Sequence, residues 1–144
     1  MSHLPPVAEL VPHAPPMLAV EELLEWAPGR ARARLVVRDG GLLVQQGCVD
    51  TIATLEYMAQ TIAACLGYEA FQAGAGVRVG MIVACRRMTI DRPIVAVGEQ
   101  LDIGVERVRG SDYVSHFDAE VRDANGKLVS SASLTLVHGD QPPA

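Results

Sequence analysis

Apolar and small side chains fill residues 52–71 almost without interruption, and Glu56 is the sole charge before Glu69. Ile52, Leu55, Ala59, Ile62 and Leu66 recur at steps of three and four, the period of a helix with one apolar stripe. Asp50 or Thr51 can cap its first amides, while Gly67 and the Ala73-Gly74-Ala75-Gly76 stretch predict its end and a flexible connection. Ala63, Ala64 and Cys65 are small enough for a sheet to wrap closely around it. Ahead of the helix, an apolar-rich run over 17–26 stops at the turn residues Trp26-Ala27-Pro28-Gly29. Ala31, Ala33, Leu35 and Val37 then alternate with Arg32, Arg34, Val36 and Arg38, which predicts a half-buried strand. Residues 42–44 read as a further short strand.

Beyond the helix the period is two. Val79–Ile90 is one long apolar-rich run, punctuated afterwards by Arg92-Pro93 and Val97-Gly98. Leu101, Ile103 and Val105 alternate with Asp102, Gly104 and Glu106, and Tyr113, Ser115, Phe117, Ala119 and Val121 oppose His116, Asp118, Glu120 and Arg122. Asn125-Gly126 is the strongest hairpin signal, with 127–137 as the return strand. At the start, Pro5, Pro6, Pro12, Pro15 and Pro16 remove amide donors and fix φ, so residues 1–16 form an extended or turning arm with a short helical turn over 7–11. Residues 139–144 are expected to fray. With no repeat and no linker, residues 1–144 read as one α+β domain, a curved antiparallel sheet wrapped around one long central helix.

A length of 144 residues suits one domain. The hydrophobic share is 49% with only 4% aromatic, and the mean hydropathy is positive. That excess suggests apolar surface buried between subunits or around a greasy ligand. Glu56, Gln60 and Glu69 interrupt the helical run, which therefore reads as buried and not membrane-spanning. The first residues show no basic segment followed by an apolar one, so no secretory signal is expected. A net charge of -5 argues against nucleic acid as a partner. Basic residues still gather at Arg30, Arg32 and Arg34 and at Arg86, Arg87 and Arg92, fitting either an acidic partner or solvated strand faces. Cys48, Cys65 and Cys85 lack any C-x-x-C spacing, which fits reduced thiols in a cytoplasm. His3, His13, His116 and His138 have no paired-ligand spacing, so neither a metal centre nor a cofactor is expected.

The chemistry worth testing sits at Glu56. A lone carboxylate in an apolar helix loses hydration, which raises its pKa unless a partner compensates. Such groups gather at functional sites, although a rim position or an arginine partner would make Glu56 purely structural. Gln60 lies one turn on, where it can orient Glu56 or bond to backbone.

Three stretches carry a family resemblance. They are Pro12-His13-Ala14-Pro15-Pro16-Met17-Leu18, Glu56-Tyr57-Met58-Ala59-Gln60, and Arg86-Arg87-Met88-Thr89-Ile90-Asp91-Arg92-Pro93 followed by Gly98-Glu99-Gln100-Leu101. In this order they resemble the hot-dog-fold dehydratases that act on 3-hydroxyacyl groups carried on acyl carrier protein. The variant is most similar to a divergent branch found with aryl-polyene and related polyketide-like lipid pathways. The resemblance implies a helix inside a curved sheet, paired subunits with active sites at their interface, and a catalytic acid at Glu56. It also implies a G-H-F-P-G motif ahead of the helix. Here that stretch reads Gly41-Leu42-Leu43-Val44-Gln45-Gln46-Gly47, without histidine, and Asp50-Thr51 replaces the Pro-Gly before the helix.

Dehydrating a 3-hydroxyacyl thioester takes a base for the C2 proton, an acid for the hydroxyl and a donor for the thioester oxygen. Amides near Thr51 and Ile52, at the positive end of the helix, could polarise the carbonyl. Glu56 would be the acid. His13 is the candidate base, relocated to the arm; alternatively it only fixes a proline-rich turn. Arg86, Arg87 and Arg92 are candidates for contacting an acidic carrier protein. Three readings stay open: a dehydratase, a thioesterase in which Glu56 activates water, and a non-catalytic subunit. The last would pair with an active dehydratase. Under any of the three the chain is expected to form a homodimer or higher oligomer, or a heterodimer with a paralogue.

Overall fold

A computed structural model describes residues 4–74, 79–111 and 113–139. His3, Ala75, Gly76 and the 140–144 tail lie outside the described residues. Eight strands and one long helix are present among those described: β1 Glu22–Ala27, β2 Arg30–Val36, β3 Cys48–Asp50, α1 Thr54–Gln72, β4 Val79–Ile90, β5 Ile94–Ala96, β6 Gln100–Gly110, β7 Val114–Asp123 and β8 Leu128–Gly139. Six strands form one antiparallel sheet in the order β1-β2-β6-β7-β8-β4, and β3 pairs with β5 in a small second ribbon. The sheet curls around α1, as a hot-dog fold requires.

The alternating residues do the wrapping. Ala31, Ala33 and Leu35 of β2, Leu101, Ile103 and Val105 of β6, and Phe117, Ala119 and Val121 of β7 all face the helix and are buried. Asp123 closes the β7–β8 hairpin by accepting the amides of Asn125 and Lys127, with Gly126 at φ 79°. The outer face of the same strands carries charge in paired rows, Glu25–Arg32–Asp102 among them.

Three expectations are corrected. Residues 42–44 are not a strand: Leu43 and Gln46 have φ of 61° and 53°, a left-handed backbone that no strand sustains. The strand lies later, at β3. Asp50 does cap, but what it caps is a short 3₁₀ turn, Thr51–Ala53, that leads into α1. Gly67 does not end the helix, which runs on to Gln72 and stops at Ala73-Gly74. Gly67 lies buried at mid-helix, where the backbone of Leu10 crosses it.

The helix is also buried on more sides than one stripe. The sheet and the arm together seal Tyr57, Met58, Gln60, Thr61, Ile62, Ala64, Cys65 and Leu66. Leu55, Glu56, Ala59, Ala63, Tyr68 and Glu69 stay partly open, and the last turn, Phe71 and Gln72, is exposed. Val7, Leu10 and Val11 of the arm join the core, a short 3₁₀ turn over Val7–Glu9 delivering them.

Candidate active site

The arm reaches the helix because Gln60 receives it. A proline-rich segment cannot satisfy its backbone in a ladder, so its buried groups need other partners. Gln60, fully buried, supplies them. Its Oε1 accepts the amides of Ala19 and Val20 at 2.8 and 3.1 Å, and its Nε2 donates to the Met17 carbonyl at 2.7 Å. The second Nε2 hydrogen goes to Glu56 Oε1 at 3.1 Å. All four bonding positions of the amide are filled. Gln60 therefore both orients Glu56 and bonds backbone, the two roles that its sequence position left open.

The same arm places His13 beside Glu56. His13 Nε2 lies 3.5 Å from Glu56 Oε1, the side chains being 26% and 33% exposed. Glu56 is thus half-buried at a cavity rim, not sealed in the core as its apolar surroundings suggested. His13 Nδ1 is buried without a partner, which leaves Nε2 as the nitrogen that meets the carboxylate. Gln60 and His13 both address Oε1, so Oε2 is the oxygen left to meet a ligand.

Both side chains line one cavity of about 270 Å³. Pro12 and His13 of the arm, Glu56, Ala59, Ala63 and Leu66 of α1, and Gly80, Met81 and Ile82 of β4 form most of its wall. Leu136 and His138 of β8 complete it. Apolar walls with a carboxylate and an imidazole on one side suit an acyl chain whose reacting end needs proton transfer.

His138 is the functional candidate that sequence reasoning missed. It is buried, and its Nε2 lies 2.8 Å from Ser115 Oγ. The signal was present: His138 continues the inward phase of Ala132, Leu134 and Leu136 along β8. Scattered in sequence, His13 and His138 meet at one cavity only through the fold.

The amides at Thr51 and Ile52 are not free. Thr51 N–H donates to the Pro93 carbonyl at 3.0 Å, and Ile52 N–H to Asp50 Oδ1 at 3.0 Å. Thr51 is buried with its hydroxyl unpartnered, while the Ile52 side chain is 52% exposed. Arg86 and Arg87 are exposed on β4 and do not line the Glu56 cavity. Arg92 instead bonds Glu99 at 2.6 Å and stands 3.9 Å from Asp123. Burial works against the Glu99 charge, but the bonds from Arg92 and the Ala96 amide prevail and hold its carboxyl below the usual range.

A larger depression, about 700 Å³, lies on the outer face of the sheet among Arg30, Arg32, Arg87, Glu106, Asp118 and Glu120. It contains no histidine, and its charges are of mixed sign. Chemistry, not size, therefore selects the smaller cavity. Among the described residues no group of three or more His, Cys, Asp or Glu side chains could hold a metal ion, and no helix is long and apolar enough to cross a membrane.

The profile of the ApeP-like family, described as ApeP dehydratase, matches residues 5–144. No curated protein matches the chain. Among solved structures, the dehydratase heterocomplex ApeI:P from Xenorhabdus doucetiae is similar at a TM-score of 0.88 and 22% identity, covering 98% of this chain and 93% of that one. A hypothetical thioesterase solved with coenzyme A from Streptococcus pneumoniae is similar at 0.64 and 15%, covering 85% and 88%. AziG from S. sahachiroi is similar at 0.62 and 20%, covering 83% and 91%. These likenesses agree on the hot-dog fold.

Proposed function

Because the chain belongs to the ApeP-like dehydratase family, we propose that its cavity dehydrates 3-hydroxyacyl thioesters presented on acyl carrier protein, with His13 as base and Glu56 as acid. The observation that carries this reading is the 3.5 Å approach of His13 Nε2 to Glu56 Oε1 on one cavity wall. Elimination needs two groups of opposite role within reach of adjacent carbons, and this cavity offers such a pair.

In the proposed step, His13 Nε2 takes the C2 proton and Glu56, protonated at Oε2, delivers a proton to the departing C3 hydroxyl. Water leaves and the C2–C3 double bond forms. Gln60 keeps the acid aimed by holding Oε1. With the Thr51 and Ile52 amides engaged, those two residues serve this reading as wall and not as donors to the thioester oxygen.

The cavity calls for a neighbour. Gly80, Met81 and Ile82 of its wall lie on β4, a twelve-residue edge strand that, among the described residues, is bonded only to β8. Met81 and Val83 are 55% and 54% exposed, and such an edge is a template for another strand. We therefore read β4 as the seam to a second subunit, either another copy or a paralogue. The membership of the X. doucetiae protein in a heterocomplex supports the paralogue. Arg86 and Arg87, exposed on the same strand, are the side chains offered to an acidic carrier, and the three free thiols suit a cytoplasmic setting. Arg87→Glu should weaken carrier binding roughly 3- to 10-fold at low salt and much less at high salt. Unchanged affinity at low salt would remove Arg87 from the contact.

Single-turnover reactions with 3-hydroxyacyl and plain acyl carrier thioesters test the function. Enoyl product that disappears in Glu56→Gln supports it. Free acid from the plain acyl thioester would instead make the protein a thioesterase. No product from the chain alone, but enoyl product undiminished by Glu56→Gln when a second subunit is added, would make it the non-catalytic member of a pair.

A further inference from the structure

Glu56, Gln60, Ala63 and Gly67 recur at steps of four, three and four, so they share one face of α1, and the arm lies along that face. The arm is pinned at two places. Gln60 binds residues 17, 19 and 20, as described above. At the other place the backbone of Leu10 sits directly on Gly67: a methyl group there would overlap the Leu10 carbonyl oxygen and lie 2.8 Å from its carbon. Leu10 and Val11 are buried at this crossing. Between the two pins, Pro12 and residues 14–17 are exposed and His13 is half-buried, with Pro12 and His13 both lining the cavity and His13 reaching Glu56.

A glycine inside a helix is unfavourable compared with alanine, and Gly67 takes no positive φ that would demand it. Its use is the missing side chain. We propose that Gly67 is a positioning residue for the dehydration. By letting the arm seat on the helix backbone, it fixes where the chain departs toward His13 and so holds Nε2 at Glu56. This inference rests on reading His13 as the base. It adds a residue three turns from the chemistry that acts only through that histidine.

The arm cannot slide to absorb an added methyl group. The atoms in the way are backbone and not a flexible side chain, and the Gln60 pin prevents retreat on the other side. The crossing must lift, and His13 lies three residues from it. Misplacing a catalytic group by about 1 Å can cost on the order of 100-fold in rate.

The test is Gly67→Ala in the full chain, assayed for enoyl formation alongside His13→Ala and the double variant. The expected result is about a 100-fold fall in kcat with KM changed less than about 3-fold, since a ground-state contact is not what is lost. The double variant should be no slower than His13→Ala alone, because a displaced histidine and an absent one are equivalent. Should Gly67→Ala fail to fold, Leu10→Val loosens the same crossing more gently, with a smaller loss that again vanishes on the His13→Ala background. Full activity in Gly67→Ala, or losses that multiply in the double variant, would overturn the proposal while leaving His13 as base. Full activity in His13→Ala would remove the base and the proposal together.

Discussion

The two walls of the cavity are built on opposite terms. On one side the arm is irregular backbone, yet its groups are tied to the helix through Gln60 and its side chains Val7, Leu10 and Val11 are in the core. On the other side β4 is regular backbone in a sheet, yet among the described residues one of its edges is unpaired, and its apolar residues Met81, Val83 and Ile90 are exposed. The irregular wall is held by contacts within the chain, whereas the regular one leaves an edge open among the described residues. Regularity and self-sufficiency are separate properties. A ladder satisfies a strand only where a neighbour exists, whereas a single well-placed amide can satisfy a segment that has no ladder.

The sharpest break in this contrast falls on the arm wall. Removing either member of the pair should cost on the order of 10²- to 10⁴-fold in enoyl formation, the usual contribution of a positioned acid or base. Glu56→Gln and His13→Ala should each reach that range, with the protein still folded because both side chains are partly exposed. Circular dichroism and rates measured together check this. A His13→Ala variant at full rate would leave the histidine as a mere turn fixture.

Gln60→Leu comes next and acts on stability. The leucine fits the volume but leaves the Ala19 and Val20 amides and the Met17 carbonyl without their partner. Each unmet buried group costs about 1–3 kcal/mol; Met17 is exposed enough for water to meet its carbonyl, so the two amides set an expected loss of roughly 2–6 kcal/mol by denaturant unfolding. Faster hydrogen exchange at Ala19 and Val20 should accompany it. A variant as stable as the parent would mean that the arm is held by its apolar residues alone.

How much of this contrast could be read from the sequence depended on range. The alternating residues of β2, β6 and β7 and the run at β4 announced themselves because a strand's period is local. Glu56 stood out because its neighbours in sequence are apolar. The pair it forms was legible only in part: family likeness drew attention to His13, but nothing local shows that the chain folds back 43 residues to meet Glu56. Gly67 read as a helix end because a glycine there usually is one, and the crossing Leu10 lies 57 residues away. The Thr51 and Ile52 amides looked free because their acceptors, Pro93 and the Asp50 side chain, are matters of tertiary and turn geometry. Glu56 looked sealed because its sequence neighbours are apolar, while exposure is decided by what the fold places opposite.

The edge wall breaks under charge. Met81→Asp together with Val83→Lys should prevent strand pairing along β4, and light scattering should report a smaller particle with unfolding midpoints close to the parent's. Activity should fall roughly 10-fold or more as the Gly80–Ile82 side of the cavity loses its backing. Retention of both the assembly and the rate would place the seam elsewhere.

The gentlest probe compares two thiols, one in each environment. Cys85 is exposed on β4, whereas Cys65 is sealed in α1. Burial pushes the Cys65 thiol up to about 12, the Glu69 charge adds to the effect, and Arg107 and the Trp26 indole oppose it. A raised thiol pKa keeps the neutral, unreactive form as pH rises, so Cys65 should resist a maleimide throughout the range in which the protein is folded. Cys85 should label readily in the charged β4 variant and several-fold more slowly in the parent, where the proposed seam would shield it. Equal labelling of Cys85 in both would mean that β4 stays bare in solution, and the incomplete wall would then have to close by some route other than strand pairing.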